Sequence, residues 1–331
     1  MLSSIRPKGA VPGGRVTLIG SRLPVPADGP PQVTIGGQSA RVVAASSRAI
    51  GVLVPEVPGG PLPVRVGELP SDTLMLDVAR VLTTGVHQVD SPLCDANGFV
   101  YLTNSGGRDT KAPVSMYRVG SDGVREPIAV EIANPTSMAR GPDGSLYVSS
   151  RFEGQVFRLT ADLRAELFAT DLGVATGLAC APDGTLYVGD RSGTILRVSA
   201  GQSGESARHV EPYATIPSSV AAFHLALGPD GTHYVTAPTM ASHDVLYRVT
   251  PAREVQIVCG GFGRPQGLAF DAAGVLFVAD ALAGGAGLYR VDVRESAPAP
   301  ELVIAAPHLV GVAFDPQGGM VLASHDTIWR I

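Results

Sequence analysis

Cysteine is scarce in this sequence, and the few cysteines lie too far apart to indicate a cross-linked fold. The 331 residues contain three, Cys94, Cys180 and Cys259, an odd number without a CxxC pair. The sequence therefore predicts neither a disulfide framework nor a zinc site built from clustered cysteines. Cys94 and Cys180 fall at the same position of the repeat described below, so we interpret both as small buried residues of an inner strand.

Long apolar runs and excess positive charge are also missing. No apolar stretch reaches the roughly 18 residues that a membrane helix needs. The formal net charge is −5, and lysine occurs only at Lys8 and Lys111, which argues against a nucleic-acid partner held by phosphate neutralisation. Residues 1–7 lack the apolar core of a secretion signal. We therefore expect no membrane span and a cytoplasmic protein, or a secreted one if a signal preceded residue 1.

What the sequence does have is a unit of about forty residues that recurs six times after residue 85. Its third strand places an arginine between two apolar residues, and successive arginines are 40, 39, 51, 42 and 40 positions apart, namely Arg118, Arg158, Arg197, Arg248, Arg290 and Arg330. A turn ending in glycine joins the first two strands of each copy, at Gly98, Gly144, Gly184, Gly231, Gly274 and Gly318. Small antiparallel sheets at this period predict an all-β chain with a six-bladed β-propeller.

The first part of the chain does not carry this repeat. Short alternating strands are separated by glycine turns at Gly13-Gly14, Gly36-Gly37 and Gly59-Gly60, a spacing that favours an immunoglobulin-like sandwich. The segments PGGRVTLIGS (12–21), VTIGGQSA (33–40) and IGVLVP (50–55) resemble an IPT/TIG domain. The resemblance implies a spacer or interaction module without catalytic residues.

We divide the chain into an IPT/TIG domain over residues 1–75 and a propeller over residues 76–331. The sixth repeat ends at Ile331 before any outer strand, whereas residues 76–84 form an unassigned strand just before the first repeat. We predict that this segment pairs with residues 327–331 and closes the ring, because closure removes exposed strand edges.

The repeats themselves resemble two propeller families. Residues 264–280 and 173–190 look like NHL repeats, and residues 85–331 as a whole are similar to NHL and to SMP-30/gluconolactonase-like propellers. The second resemblance implies a lactonase with one divalent ion on three acidic or amide ligands. The aligned positions here are Asp90, Thr176 and Phe223, of which only Asp90 is a suitable ligand.

Loops that enter the first strand and leave the second strand of each repeat should meet at the mouth of the central channel, where we expect ligands to bind. Polar residues at these positions are the predicted ligand-binding set: Asp90, Asn104, Arg151, Arg191, His224, Gln266, Asp280 and His325. The other histidines, namely His87, His209, His233 and His308, are expected at strand edges or on the surface.

His224 is the candidate catalytic residue, because it stands where other repeats have glycine or serine and could act as a general base. The alternative is that His224 has a structural role and forms a hydrogen bond to a neighbouring blade. Asp90 is the candidate metal ligand for Ca²⁺, Mg²⁺, Mn²⁺ or Zn²⁺ if a divalent ion is bound. A zinc site formed by His224, His243 and His325 is a further alternative, but their spacing in the sequence does not determine how far apart they lie in the fold.

Two functions follow from these residues. The first is a binding protein whose channel face holds a small molecule, a glycan or a peptide while the IPT/TIG domain acts as a spacer. The second is a lactone or ester hydrolase with a divalent ion at Asp90 and His224 as a participant. Loss of turnover in Asp90→Ala or His224→Ala would separate the two.

Overall fold

The computed structural model describes residues 1–67, 74–106, 112–199, 208–281 and 285–331, and within these ranges it contains strands and turns but no helix. Accordingly, the described part of the chain offers no helix with the length and apolar character needed to cross a membrane.

The N-terminal domain is a sandwich of two sheets. One sheet has the order β1-β3-β7-β6, and the other contains β2, β9, β8, β4 and β5 in that order. Alternate residues of the strands point inward, such as Val16 and Leu18 of β3, and pack on Ile50 and Leu76 in a single apolar core. The strands are β1 (Leu2–Arg6), β2 (Gly9–Ala10), β3 (Arg15–Gly20), β4 (Val33–Ile35), β5 (Gln38–Ser39), β6 (Arg41–Ala45), β7 (Ala49–Leu53), β8 (Gly60–Val66) and β9 (Leu74–Val78).

The rest of the chain forms six four-stranded antiparallel blades, which confirms the predicted propeller. The first three blades consist of β11 (Leu93–Cys94), β12 (Val100–Thr103), β13 (Met116–Val119) and β14 (Arg125–Ile128), then β15 (Pro135–Arg140), β16 (Leu146–Ser150), β17 (Gln155–Leu159) and β18 (Ala165–Ala169), then β19 (Ala175–Cys180), β20 (Leu186–Asp190), β21 (Thr194–Ser199) and β22 (His209–Thr215).

The last three blades complete the ring. They consist of β23 (His224–Leu227), β24 (His233–Thr236), β25 (Asp244–Val249) and β26 (Val255–Phe262), then β27 (Pro265–Phe270), β28 (Leu276–Asp280), β29 (Gly287–Val291) and β30 (Glu301–Ala305), then β31 (Leu309–Phe314), β32 (Met320–Ser324) and β33 (Thr327–Arg330) with β10 (Arg80–Thr84).

Strand β10 closes the ring as predicted. It pairs antiparallel with β33, with Arg80 opposite Arg330 and Thr84 opposite Thr327. The outer strand of the sixth blade therefore comes from the segment that precedes the first blade. The boundary after residue 75 remains a prediction, and β9, which pairs with β8, runs across it.

A seam that the sequence did not predict joins the two domains. Strand β2 lies between β9 and β30 and is parallel to both, so that Ala10 is opposite Val78 on one side and Ala305 on the other. The Val11 amide also donates a 2.9 Å hydrogen bond to the Ala305 carbonyl. One sheet of the N-terminal domain thus continues into the fifth blade and holds that domain on the rim of the ring.

The repeated arginines have structural partners. Arg118 pairs with Glu126, and Arg197 pairs with Glu211 on the neighbouring outer strand of the same blade. Arg158 pairs with Asp143 of its own hairpin turn. The regular arginine pattern therefore reflects blade construction. The three cysteines are free thiols.

Candidate functional site

A hydrogen bond between blades one and four crosses the centre of the ring. The His224 Nδ1 atom lies 2.7 Å from Asp90 Oδ1, and the two side chains are 0% and 7% exposed. The backbone amide of Ser91 also donates to Asp90 Oδ1 at 2.6 Å. Since blades one and four are opposite each other in a ring of six, this pair spans the channel.

Glycines on other blades make room for the pair. A Cβ atom on Gly267 would lie 2.5 Å from Ser91 Oγ and 2.9 Å from Asp90 Oδ1. A Cβ atom on Gly311 would lie 2.3 Å from the Ser91 Cα atom. The first strands of blades five and six therefore need glycine at this level, because any side chain would displace the crossing residues.

The pair separates two cavities along the channel. The upper cavity, at the mouth, has a volume of about 340 Å³, and the lower cavity has a volume of about 250 Å³. Val89 and Val310 line the upper cavity, whereas Ser91 and Val312 line the lower one. The layer that contains Asp90 thus forms a floor beneath the channel mouth.

Four of the predicted ligand-binding residues line the upper cavity together: Arg151, Arg191, Gln266 and His325. They come from blades two, three, five and six, so strands far apart in sequence bring them to one opening. Apolar side chains, including Phe152 and Val220, complete the wall. Gln88 and Thr176 are the other polar residues of the lining. Gln88 is fully buried and holds Thr103 and the Asp90 carbonyl by hydrogen bonds.

The two arginines have no carboxylate partner among the described residues. No aspartate or glutamate is among the described residues that line the cavity. Burial lowers the pKa of Arg151, and the positive charge of Arg191 lowers it further. The Arg151 Nε atom is buried without a hydrogen-bond partner among the described residues, and its Nη2 atom reaches only the Gly106 carbonyl, at 3.4 Å.

A second pair of basic side chains lies beside the arginines. The rings of His87 and His325 are 4.0 Å apart between centroids. Burial lowers the pKa of His87, followed by the positive charges of His325 and Arg151. His87 was expected at a strand edge or on the surface, and its position beside His325 was not predicted.

Asn104 and Asp280 are not brought to this cavity. Asn104 accepts a 2.9 Å hydrogen bond from the His87 amide and donates one of 2.7 Å to the Val114 carbonyl. Asp280 is fully buried, and its two oxygens accept hydrogen bonds from the amides of Gly263 and Arg264. Both side chains fix loop conformation, and Asn104 thereby positions the segment that carries His87.

The described residues offer no cluster of three or more histidine, cysteine, aspartate or glutamate side chains that could hold a metal ion. Asp90, the predicted metal ligand, instead forms the crossing pair with His224. His224, His243 and His325 are likewise not grouped as a zinc site.

A larger cavity lies elsewhere. It has a volume of about 790 Å³ and is located between the N-terminal domain and blades five and six, where Val78, Val81 and Ile304 contribute to its wall. We place the candidate site at the channel mouth instead, because polar side chains from four blades converge there and a buried unpaired donor faces the same region.

The fold and this site define a class of protein: an IPT/TIG domain attached to a six-bladed β-propeller with a ligand-sized cavity at the channel mouth. Residues 1–72 match the model of the IPT/TIG domain, and residues 177–198 match that of the strictosidine synthase-like N-terminal region. No curated protein matches the sequence.

Several solved structures share the fold. A gluconolactonase from Xanthomonas campestris is 16% identical, with 76% of this chain and 88% of that chain covered and a TM-score of 0.61. A protein of unknown function from Bacteroides thetaiotaomicron is 14% identical, with 100% and 97% covered and a TM-score of 0.59. An auxiliary nutrient binding protein from the same organism has the same identity and coverage and a TM-score of 0.55. These TM-scores show a common fold, and a single fold can serve different functions.

Proposed function

We propose that this protein is a small-molecule binding protein whose site is the cavity at the channel mouth, with the IPT/TIG domain as a spacer. The observation that carries the proposal is the convergence of polar side chains from four blades on one cavity. Converging polar side chains line its wall, and the Asp90–His224 layer forms its floor. A volume of about 340 Å³ is within the range of ordinary ligand pockets.

The geometry favours a small molecule over a glycan or a peptide. A ligand that enters from the mouth meets the floor and cannot thread through the ring. The floor is also preformed, because the crossing hydrogen bond and the close approach of Gly267 fix it before any ligand arrives. A preformed pocket reduces the entropy that binding must overcome.

A blocked cavity provides the test. Ala221 lies in the wall, and Ala221→Trp should fill the opening. Asn97→Trp, on an exposed hairpin turn of blade one, is the matched control. A fragment library of neutral and charged compounds, screened by ligand-observed NMR on the full chain, should give hits that Ala221→Trp abolishes and Asn97→Trp retains. Hits that survive the blocking substitution, or no hits at all, would contradict the proposal.

A lactonase would use the same fold in a different way. It would need Asp90 to hold a divalent ion, whereas Asp90 Oδ1 already accepts hydrogen bonds from His224 and the Ser91 amide. We therefore expect Ca²⁺, Mg²⁺, Mn²⁺ and Zn²⁺ to leave the unfolding midpoint of the chelator-treated protein unchanged, and glucono-1,5-lactone to hydrolyse at the uncatalysed rate. An ion-dependent midpoint shift and turnover that Asp90→Ala abolishes would favour the enzyme.

A further inference from the structure

We infer that the ligand of the channel mouth is a small anion, a carboxylate or a phosphate, which Arg151 and Arg191 bind together. This inference rests on the proposed function and specifies the chemical class of the ligand. The geometry points to it through the charge balance of the cavity, the unpaired donor of Arg151 and the position of the two guanidinium groups.

The charge balance is unusual for this protein. The chain carries a net charge of −5, and five of its six blade arginines are paired with carboxylates, as Arg118 is with Glu126. The cavity reverses this pattern, since Arg151 and Arg191 share one wall and no described lining residue is acidic. Arg151 is close enough to Arg191 for the second charge to lower its pKa, so an anion bound between these like charges would relieve their repulsion.

Arg151 has hydrogen-bonding capacity that the described residues leave unused. Its Nε atom has no partner within the described residues, although it is buried. The guanidinium group lies over the Phe152 ring, with Cζ 4.7 Å from the ring centroid, which restricts its orientation. A planar donor fork that is held in place matches two oxygens of a carboxylate or phosphate.

The His87–His325 pair lies beside Arg151 on the same side of the cavity. Both imidazoles lie close to Arg151, since His325 lines the cavity and the charge of Arg151 is felt at His87. Gln266 lies in the blade-five part of the wall and offers an amide to a hydroxyl or carbonyl of the ligand. The site is therefore suited to a polar molecule with one oxyanion end.

Titration calorimetry on the full chain at constant ionic strength tests the inference with three probes: D-gluconate for the carboxylate, inorganic phosphate for the phosphate, and D-glucose as a neutral comparison. We expect at least one anion to bind and glucose to bind more weakly. Arg151→Gln should weaken the anion about tenfold or more, because a charge-assisted fork is lost.

Two further variants keep the result interpretable. Arg191→Gln removes the other charge from a solvent-exposed side chain and should weaken binding without unfolding the protein. Arg164→Gln removes an arginine that is 83% exposed on a distant blade turn and should have no effect. Glucose binding as tight as gluconate binding, failure of both anions to bind, or equal losses in Arg151→Gln and Arg164→Gln would each overturn the inference. If neutral fragments still bound the native protein but not Ala221→Trp, the proposed function would stand although this inference had failed.

Discussion

His233 should make this protein sensitive to mild acid. The side chain is 1% exposed, and the prediction that it lies at a strand edge or on the surface was wrong. Its ring is between blades three and four, 4.0 Å from the Tyr187 ring and 5.3 Å from the Tyr213 ring by centroid distance. Neither ring nitrogen has a hydrogen-bond partner among the described residues, so nothing there stabilises a charged imidazole.

Burial lowers the pKa of His233 from 6.5 to about 4. Below pH 6.5 His233 is protonated in the unfolded chain but stays neutral in the folded chain. The free energy of unfolding therefore falls as the pH decreases from 6.5 towards 4. At about 1.4 kcal/mol for each pH unit, the full loss is about 3 kcal/mol. This is a large part of the roughly 5–15 kcal/mol that stabilises a typical domain.

The substitution His233→Phe isolates this effect, because it keeps a ring in the same space and removes the titrating group. Guanidinium unfolding should be measured at pH 7.5 and pH 4.5. Between these two pH values, the free energy of unfolding of the native protein should fall by about 2.5 kcal/mol more than that of the variant. His243→Phe, which alters an exposed histidine, is the control and should follow the native protein. If His233→Phe lost stability in acid as steeply as the native protein, the reasoning would be refuted.

Three further predictions concern the channel floor and ring closure. His224→Ala leaves the buried Asp90 carboxylate without its partner and should lower the free energy of unfolding by about 3 kcal/mol; a loss below about 1 kcal/mol would contradict the crossing pair. Gly267→Ala places a Cβ atom 2.9 Å from Asp90 Oδ1 and should lower the thermal midpoint, whereas an unchanged midpoint would show that the floor can shift freely. Deletion of residues 1–85 removes β10 and should destabilise the propeller more than deletion of residues 1–79, which retains it; equal midpoints would argue against closure by β10.

The propeller was predictable because its signals are local and repeated. Each turn glycine is followed by an apolar strand, and each copy brings its arginine to the same position. The closing strand was predictable because the sixth repeat has one strand fewer than the others and a strand-like segment precedes the first repeat. The pairing of Arg80–Thr84 with the last strand confirms it. A pattern that recurs six times outweighs the ambiguity of any one short strand.

Contacts between distant segments were not predictable in the same way. Strand β2 has two residues, Gly9 and Ala10, and its parallel pairing with β9 and β30 leaves no periodic trace in the sequence. Asp90 and His224 were each identified as candidates, yet their pairing depends on the diameter of the ring. His87 was not among the predicted site residues, and only its position in space relates it to His325.

The floor and the wall of the candidate site are built from different blades, and this difference determines where a ligand would lie. The floor uses opposite blades, one and four, and is centred on the channel axis. The cationic wall is off-centre, because Arg151 and Arg191 come from the adjacent blades two and three. An anionic group held by these arginines would therefore sit to one side, and the rest of the ligand would extend over the floor towards Gln266 of blade five. Selectivity among anions should then depend on the length and polarity of that remainder, which neither arginine contacts.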